Sequence, residues 1–144
     1  MATTRTATTH WTGPLMGGSG TVTLTSSGLG SYDVDWPARA EAPGGKTSPE
    51  ELIAAAHSAC FSMALSHALA QAGTPPTTLD TEAEVGFQPG TGITGIHLRV
   101  RADVPGLDAE RFRQTAEGAK AGCPVSKALA AVPITLDAVL GAGG

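Results

Sequence analysis

Residues 47–73 constrain this chain more than any other stretch, because they are punctuated as one long helix. Ser48 stands at the capping position, Pro49 at the first helical position, and Glu51 three residues after the cap completes a capping-box pattern. Gly73 supplies a left-handed stop. Between these signals Leu52, Ile53, Ala56, Cys60, Phe61, Met63, Leu65 and Leu69 spread apolar character most of the way around the cylinder. A helix of that kind is expected to be buried on several sides. Its alanines let neighbouring elements approach the backbone closely.

The rest of the chain reads as short strands and two further helices. Residues 4–12, which are Thr-rich, 20–26 and 31–36 read as three short strands, the last two alternating, separated by Gly-Pro, Gly-Gly and Ser-Ser-Gly turns, which predicts an antiparallel meander. Residues 37–46, rich in Pro, Gly and Ala, read as a loop in which one charged residue, Arg39, stands out. Beyond Pro75-Pro76, Leu79, Thr81, Ala83, Val85 and Phe87 share one face of a strand, with Asp80, Glu82 and Glu84 on the other. After the turn 89–92, Ile96, Leu98, Val100 and Ala102 face inward, while Arg99 and Arg101 are placed to pair with Glu82 and Glu84 on a solvated face. Asp108 is expected to cap a helix over 109–121, Cys123 and Pro124 to open a short helix over 125–131, and Ile134, Leu136 and Ala138 to alternate in a last strand. The tail Gly141–Gly144 is expected to fray. This order lacks regular βα alternation, so the fold class is α+β with antiparallel sheet, in a single domain over 1–144.

Charge and composition exclude several functions. A net charge of −4 argues against a nucleic-acid or anionic-membrane partner, which would need a basic face. No uninterrupted apolar run reaches the ~18 residues of a membrane span, and the N-terminus lacks the apolar core of a secretory signal. A cytoplasmic protein is the expectation. Aromatic residues make up only 4 % of the chain, so its core must come from aliphatic side chains, and self-association would add burial.

Two cysteines are too few for a disulfide framework or a zinc ribbon, and they leave two readings: inert core thiols, or a pair that bonds transiently. Cys123 opens a helix, where free amides favour a thiolate. Cys60 lies mid-helix among apolar neighbours, where burial raises a thiol, so its reactivity would need a cation from elsewhere. Arg39 is the nearest such cation in sequence. His57 precedes Cys60 by three residues and shares its helical face. It can be read as a base for the thiol, as half of a metal pair, or as a packed, hydrogen-bonded histidine. Glu50 and Glu51 both suit a helix N-terminus.

The segments Thr47–Leu52, Ala55–Leu65 and Lys120–Ser126 resemble the active helix and second-cysteine motif of the OsmC/Ohr family. The segments His10–Gly13, Val104–Asp108 and Ile134–Asp137 resemble its OsmC branch. Ser48 stands where that family usually has Asn. The resemblance implies an intertwined homodimer, with antiparallel sheets wrapped around long central helices. It implies a peroxidase that reduces organic hydroperoxides, and hydrogen peroxide less well, without haem, flavin or metal. Carried onto matching positions, it makes Cys60 the peroxidatic thiol, Cys123 the resolving thiol, and Arg39 with Glu50 the polar pair that activates Cys60. An external thiol or dithiol, of lipoyl type among others, would restore the pair. Glu50 and Cys60 are ten residues apart, about 15 Å of helical rise, which favours sharing between two antiparallel helices of a dimer. Two other readings remain: a module binding a small hydrophobic ligand with idle thiols, and a cysteine hydrolase using Cys60 and His57.

Overall fold

The structure, a computed structural model, describes residues 1–141. It divides into two compact units, Met1–Leu52 and Ile53–Gly144. Of the tail expected to fray, residues 142–144 lie outside the described residues. Gly141 is held, its amide donating to the Ala102 carbonyl at 2.9 Å.

The first unit is a three-stranded antiparallel meander, β1 (Thr8–Thr12), β2 (Ser19–Thr23) and β3 (Ser31–Val34), as the alternation predicts. Gly20 is required on β2: a Cβ there would come within 2.7 Å of the Trp11 ring and 3.3 Å of Val34. The strands are shorter than expected because turns claim their ends. The Leu24 amide donates to the Gly30 carbonyl, closing the β2–β3 turn. Asp35 leaves the sheet to accept from the Ala38 amide at 2.8 Å, capping a short helix, α1 (Trp36–Ala40). Trp36 is therefore helical and not the last residue of a strand, and the loop expected over 37–46 begins as helix. Pro37 in the first turn, where no amide is needed, favours that conformation.

Helix α2 (Pro49–Gln71) begins at the end of this unit and runs into the second. Its start is capped by the Ser48 hydroxyl, which accepts from the Glu51 amide at 3.1 Å. The reciprocal half of the expected capping box is replaced: the Glu51 carboxylate takes a hydrogen bond from the Thr47 hydroxyl at 2.6 Å. Its end is a Schellman stop. Gly73 adopts φ +86°, its amide donates to Ala70, and the Thr74 amide donates to Leu69 at 2.9 Å.

In the second unit, His57, Phe61, Leu65 and Leu69 repeat every four residues and form one fully buried stripe on α2. Phe61, Leu65 and Leu69 share a core with Ile96, Leu98, Val100 and Ala102 of the sheet, and with Phe112, Ala116 and Ala119 of α3 (Ala109–Gly122). Burial of α2 on several sides is not seen within one chain. Ala55, Ala56, Ala59 and Met63 stay exposed, Met63 at 73 %. The absence of an uninterrupted span-length run does not keep α2 from being apolar on average. Over α2, mean hydropathy reaches 1.4, so its length and composition alone would let it cross a bilayer. The alanines interleaved with serine and histidine raise the average without making an unbroken run.

Strands β4 (Thr78–Gln88) and β5 (Gly92–Asp103) form the predicted hairpin, with the expected inward faces. Glu82 and Glu84 both converge on Arg99, at 2.7 and 2.6 Å, instead of being divided between Arg99 and Arg101. The last strand, β6 (Ile134–Leu140), pairs with β5 in parallel, so this sheet is mixed and the expectation of purely antiparallel sheets fails. The reason is the connection. Between β5 and β6 the chain passes through α3 and α4 (Pro124–Ala128), and that helical crossover returns it to the end where β5 began. The architecture is α+β, with two small sheets and one long helix.

Candidate active site

Cys123 owes its position to its neighbours. Asp108 caps α3 by accepting from the Arg111 amide at 2.8 Å, and the helix runs to Gly122. Pro124 then disfavours helical geometry at the residue before it. Cys123 adopts φ −58°, ψ 126°, ending α3 and capping α4 in one step. Its own amide donates back to Ala119 at 2.9 Å, and its carbonyl accepts from Lys127 at 3.0 Å. The side chain left at this corner is fully buried.

Cys60 comes from α2, one residue before Phe61 of the buried stripe, and is half-buried. The two sulfurs lie 3.0 Å apart across 63 residues of sequence, both as free thiols. A disulfide would need them to close by about 1 Å, to the usual ~2.05 Å. Two thiols this close share a titration, and their surroundings separate them. Burial pushes Cys60 up, and its contact with Cys123 adds to that against one hydrogen bond from the Val125 amide. Burial also acts upward on Cys123. The neighbouring Cys60 thiol and the polar groups of Ser126 and Val125 at the start of α4 outweigh it and hold Cys123 below the ordinary thiol value. The surroundings thus favour a thiolate on Cys123 more than on Cys60.

His57 is fully buried, and burial holds its pKa below the ordinary histidine value, so it is neutral near pH 7. Its Nε2 lies 2.7 Å from Ser126 Oγ. Of the three readings open for His57, the structure has the packed, hydrogen-bonded one. Ser126 is a residue that the sequence reading did not single out. The signal was present: it stands three positions after a helix cap, where a backbone amide reaches back to the cap side chain.

The other two candidate residues meet in the first unit. The Arg39 guanidinium, at the end of α1, donates from Nε to Glu50 Oε1 at 3.0 Å and from a terminal nitrogen to Oε2 at 2.9 Å. Glu50 sits in the first turn of α2 and is only 6 % exposed, so this forked partner is what makes its burial tolerable. Arg39 also borders a cavity of about 370 Å³ within this unit, lined by Trp11, Leu15, Val22, Trp36 and Leu52 among others. A wider groove of about 960 Å³ in the second unit is bordered by Ser58, Ser62, Arg99 and Arg101 but by neither thiol. The candidate residues thus fall into two pairs, Cys60 with Cys123 and Arg39 with Glu50.

A long helix, two small sheets and a second thiol set at a helix junction define an OsmC-like α+β protein, and residues 42–137 match the family described as OsmC-like protein. The chain belongs to that family. It is 48 % identical to Peroxiredoxin OsmC of Escherichia coli strain K12 over 131 residues, covering 89 % of this chain and 90 % of the relative. It is 34 % identical to the organic hydroperoxide resistance protein of Xanthomonas axonopodis pv. citri over 88 residues, 60 % of this chain and 62 % of that one. Among solved structures it resembles the organic hydroperoxide resistance protein OhrB of Bacillus subtilis. That match has a TM-score of 0.70 at 27 % identity, and covers 94 % of this chain and 98 % of the other.

Proposed function

We propose that this chain is a thiol-dependent peroxidase that reduces organic hydroperoxides, and hydrogen peroxide less well, to alcohols and water. The observation that carries the reading is the 3.0 Å contact between two thiols from distant parts of the chain. The names of its relatives, a peroxiredoxin and an organic hydroperoxide resistance protein, support a peroxide-detoxifying role.

In this reading Cys60, the thiol that solvent can reach, attacks the terminal peroxide oxygen. It gives up its thiol proton, which the alkoxide needs, as the S–O bond forms and the O–O bond breaks. The leaving alkoxide takes up a proton, giving the alcohol and a Cys60 sulfenic acid. Cys123 then attacks the Cys60 sulfur, an S–S bond forms, and the hydroxyl leaves as water. An external dithiol restores both thiols by exchange and is itself oxidised to a disulfide.

Arg39 and Glu50 serve as the polar pair for the peroxide. The cavity beside Arg39 is mostly apolar, which suits a fatty or aryl hydroperoxide tail. The exposed apolar residues of α2, Ala55, Ala56, Ala59 and Met63, support a homodimer in which two such helices pack antiparallel. The rise of about 15 Å between positions 50 and 60 of one helix then favours a site in which Glu50 serves the partner subunit's thiol. The protein is proposed to act in the cytoplasm, where dithiol reductants are available.

The test is consumption of cumene hydroperoxide with a dithiol, by the wild type and by Cys60→Ser and Cys123→Ser variants. The peroxidase reading expects Cys60→Ser to be inactive and Cys123→Ser to lose turnover. A hydrolase would not need Cys123, and a hydrophobic-ligand module would need neither thiol.

A further inference from the structure

We propose that Asp35 and Lys46 are positioning residues for Arg39: their ion pair closes the segment between α1 and α2 and thereby holds the Arg39 guanidinium on Glu50. The geometry stands by itself. Its consequence for catalysis rests on the peroxidase reading, in which Arg39 serves the peroxide.

Two ion pairs tie the same segment, each joining residues 11 apart. Lys46 Nζ donates to Asp35 Oδ2, and one step further along the chain Arg39 donates to Glu50. Asp35 holds Arg39 through the backbone as well. Its Oδ1 accepts from the Ala38 amide at 2.8 Å, and its carbonyl accepts from the Arg39 amide at 3.2 Å. One residue thus fixes both amides of the Ala38–Arg39 turn and, with its second carboxylate oxygen, the far end of the loop. That end is also tied to β3, since the Thr47 amide donates to the Asp33 carbonyl at 3.0 Å.

Between these anchors the chain has little of its own to hold it. Ala42, Pro43, Gly44 and Gly45 carry no polar side chain, so across this turn the side-chain tie falls to Lys46. Gly44 and Gly45 take φ +57° and +82°, which lets the chain turn tightly enough to bring Lys46 back to Asp35. The Asp35 side chain is 13 % exposed and borders the same cavity as Arg39, while Lys46 is 40 % exposed. A carboxylate against a mostly apolar wall is costly unless it is paired. Lys46 therefore supplies the counter-charge that lets Asp35 cap α1 there.

The experiment reads Arg39 directly, on the full-length reduced protein. Solvent exchange of the Arg39 Nε–H, followed by NMR, reports the grip on Glu50 and needs no peroxide. The second readout is kcat/KM for cumene hydroperoxide with a dithiol. Lys46→Met speeds the exchange by about two- to fivefold, the range for a partly exposed ion pair, and lowers kcat/KM by a similar factor. Lys46→Arg, which keeps the charge, restores both. Asp35→Asn keeps an acceptor for the Ala38 amide and matches Lys46→Met, and the double variant is no worse than either alone, because both residues act through one bond. Lys46 lies on an exposed loop, so its variants decide if Asp35→Asn does not fold. Unchanged Nε–H exchange in Lys46→Met, or a Lys46→Arg variant that behaves like it, overturns the proposal. So does exchange that shifts while kcat/KM of an active enzyme does not. If the exchange shifts as stated but the wild type consumes no hydroperoxide, the hold on Arg39 stands and the peroxidase reading fails.

Discussion

Arg39 and Glu50 form a two-pronged ion pair in which the carboxylate is almost fully buried and the guanidinium side chain is 32 % exposed. Removing the cation strands the carboxylate. Arg39→Ala is therefore expected to cost about 1–3 kcal/mol in urea unfolding, less than for a fully buried pair because water still reaches the arginine. Arg39→Lys keeps the charge but not the fork, so it should retain most of that stability while losing at least about tenfold in hydroperoxide turnover. Equal losses of stability and turnover in both variants would remove Arg39 from the chemistry.

The corner at Cys123 depends on Pro124. Replacing it with alanine frees Cys123 to adopt helical geometry and lets α3 run on, carrying the sulfur away from Cys60. Pro124→Ala should still form sulfenic acid with cumene hydroperoxide, but the yield of intramolecular disulfide should fall several-fold. Non-reducing peptide mapping reads this directly, and wild-type yield would mean that packing, not proline, sets the corner.

Much of this arrangement is legible along the chain, and the exceptions have physical causes. The meander, the hairpin and α2 follow from alternation and caps that act within a few residues. Helix α1 was hidden because Tyr32, Val34 and Trp36 continue a strand period, while the Asp35 cap that breaks it needs Pro37 to be read with it. The parallel pairing of β6 depends on where a helical crossover delivers the chain, which alternation at Ile134, Leu136 and Ala138 does not encode. The acidity of Cys123 and the lack of local help for Cys60 were both readable from helix position. The Ser126–His57 contact was not, since it joins residues 69 apart.

His57 makes stability depend on pH. Burial lowers its folded-state pKa below 6.5, so on acidification the unfolded chain binds a proton that the folded chain resists. The stability this neutral histidine allows is full above pH 6.5 and declines as pH falls below it. Urea midpoints measured from pH 8 to pH 5 should drop in the wild type, and the drop should be smaller in His57→Gln. Parallel curves for the two proteins would contradict this.

The two sides of α2 make opposite predictions. Phe61 is fully buried in the core, so Phe61→Ala should cost about 3–5 kcal/mol. Met63 is 73 % exposed in one chain. Met63→Glu should leave the fold of the chain intact by circular dichroism, yet shift sedimentation from dimer toward monomer. A Met63→Glu protein that sediments like the wild type would remove this face from the proposed interface.

The central claim is that Cys60 and Cys123 react with one another. The direct measurement is mass analysis of the protein after one equivalent of cumene hydroperoxide, without reducing agent. A loss of two hydrogens, mapped to a Cys60–Cys123 link within one chain, is the predicted result. Two free thiols, or a link only between chains, would contradict it.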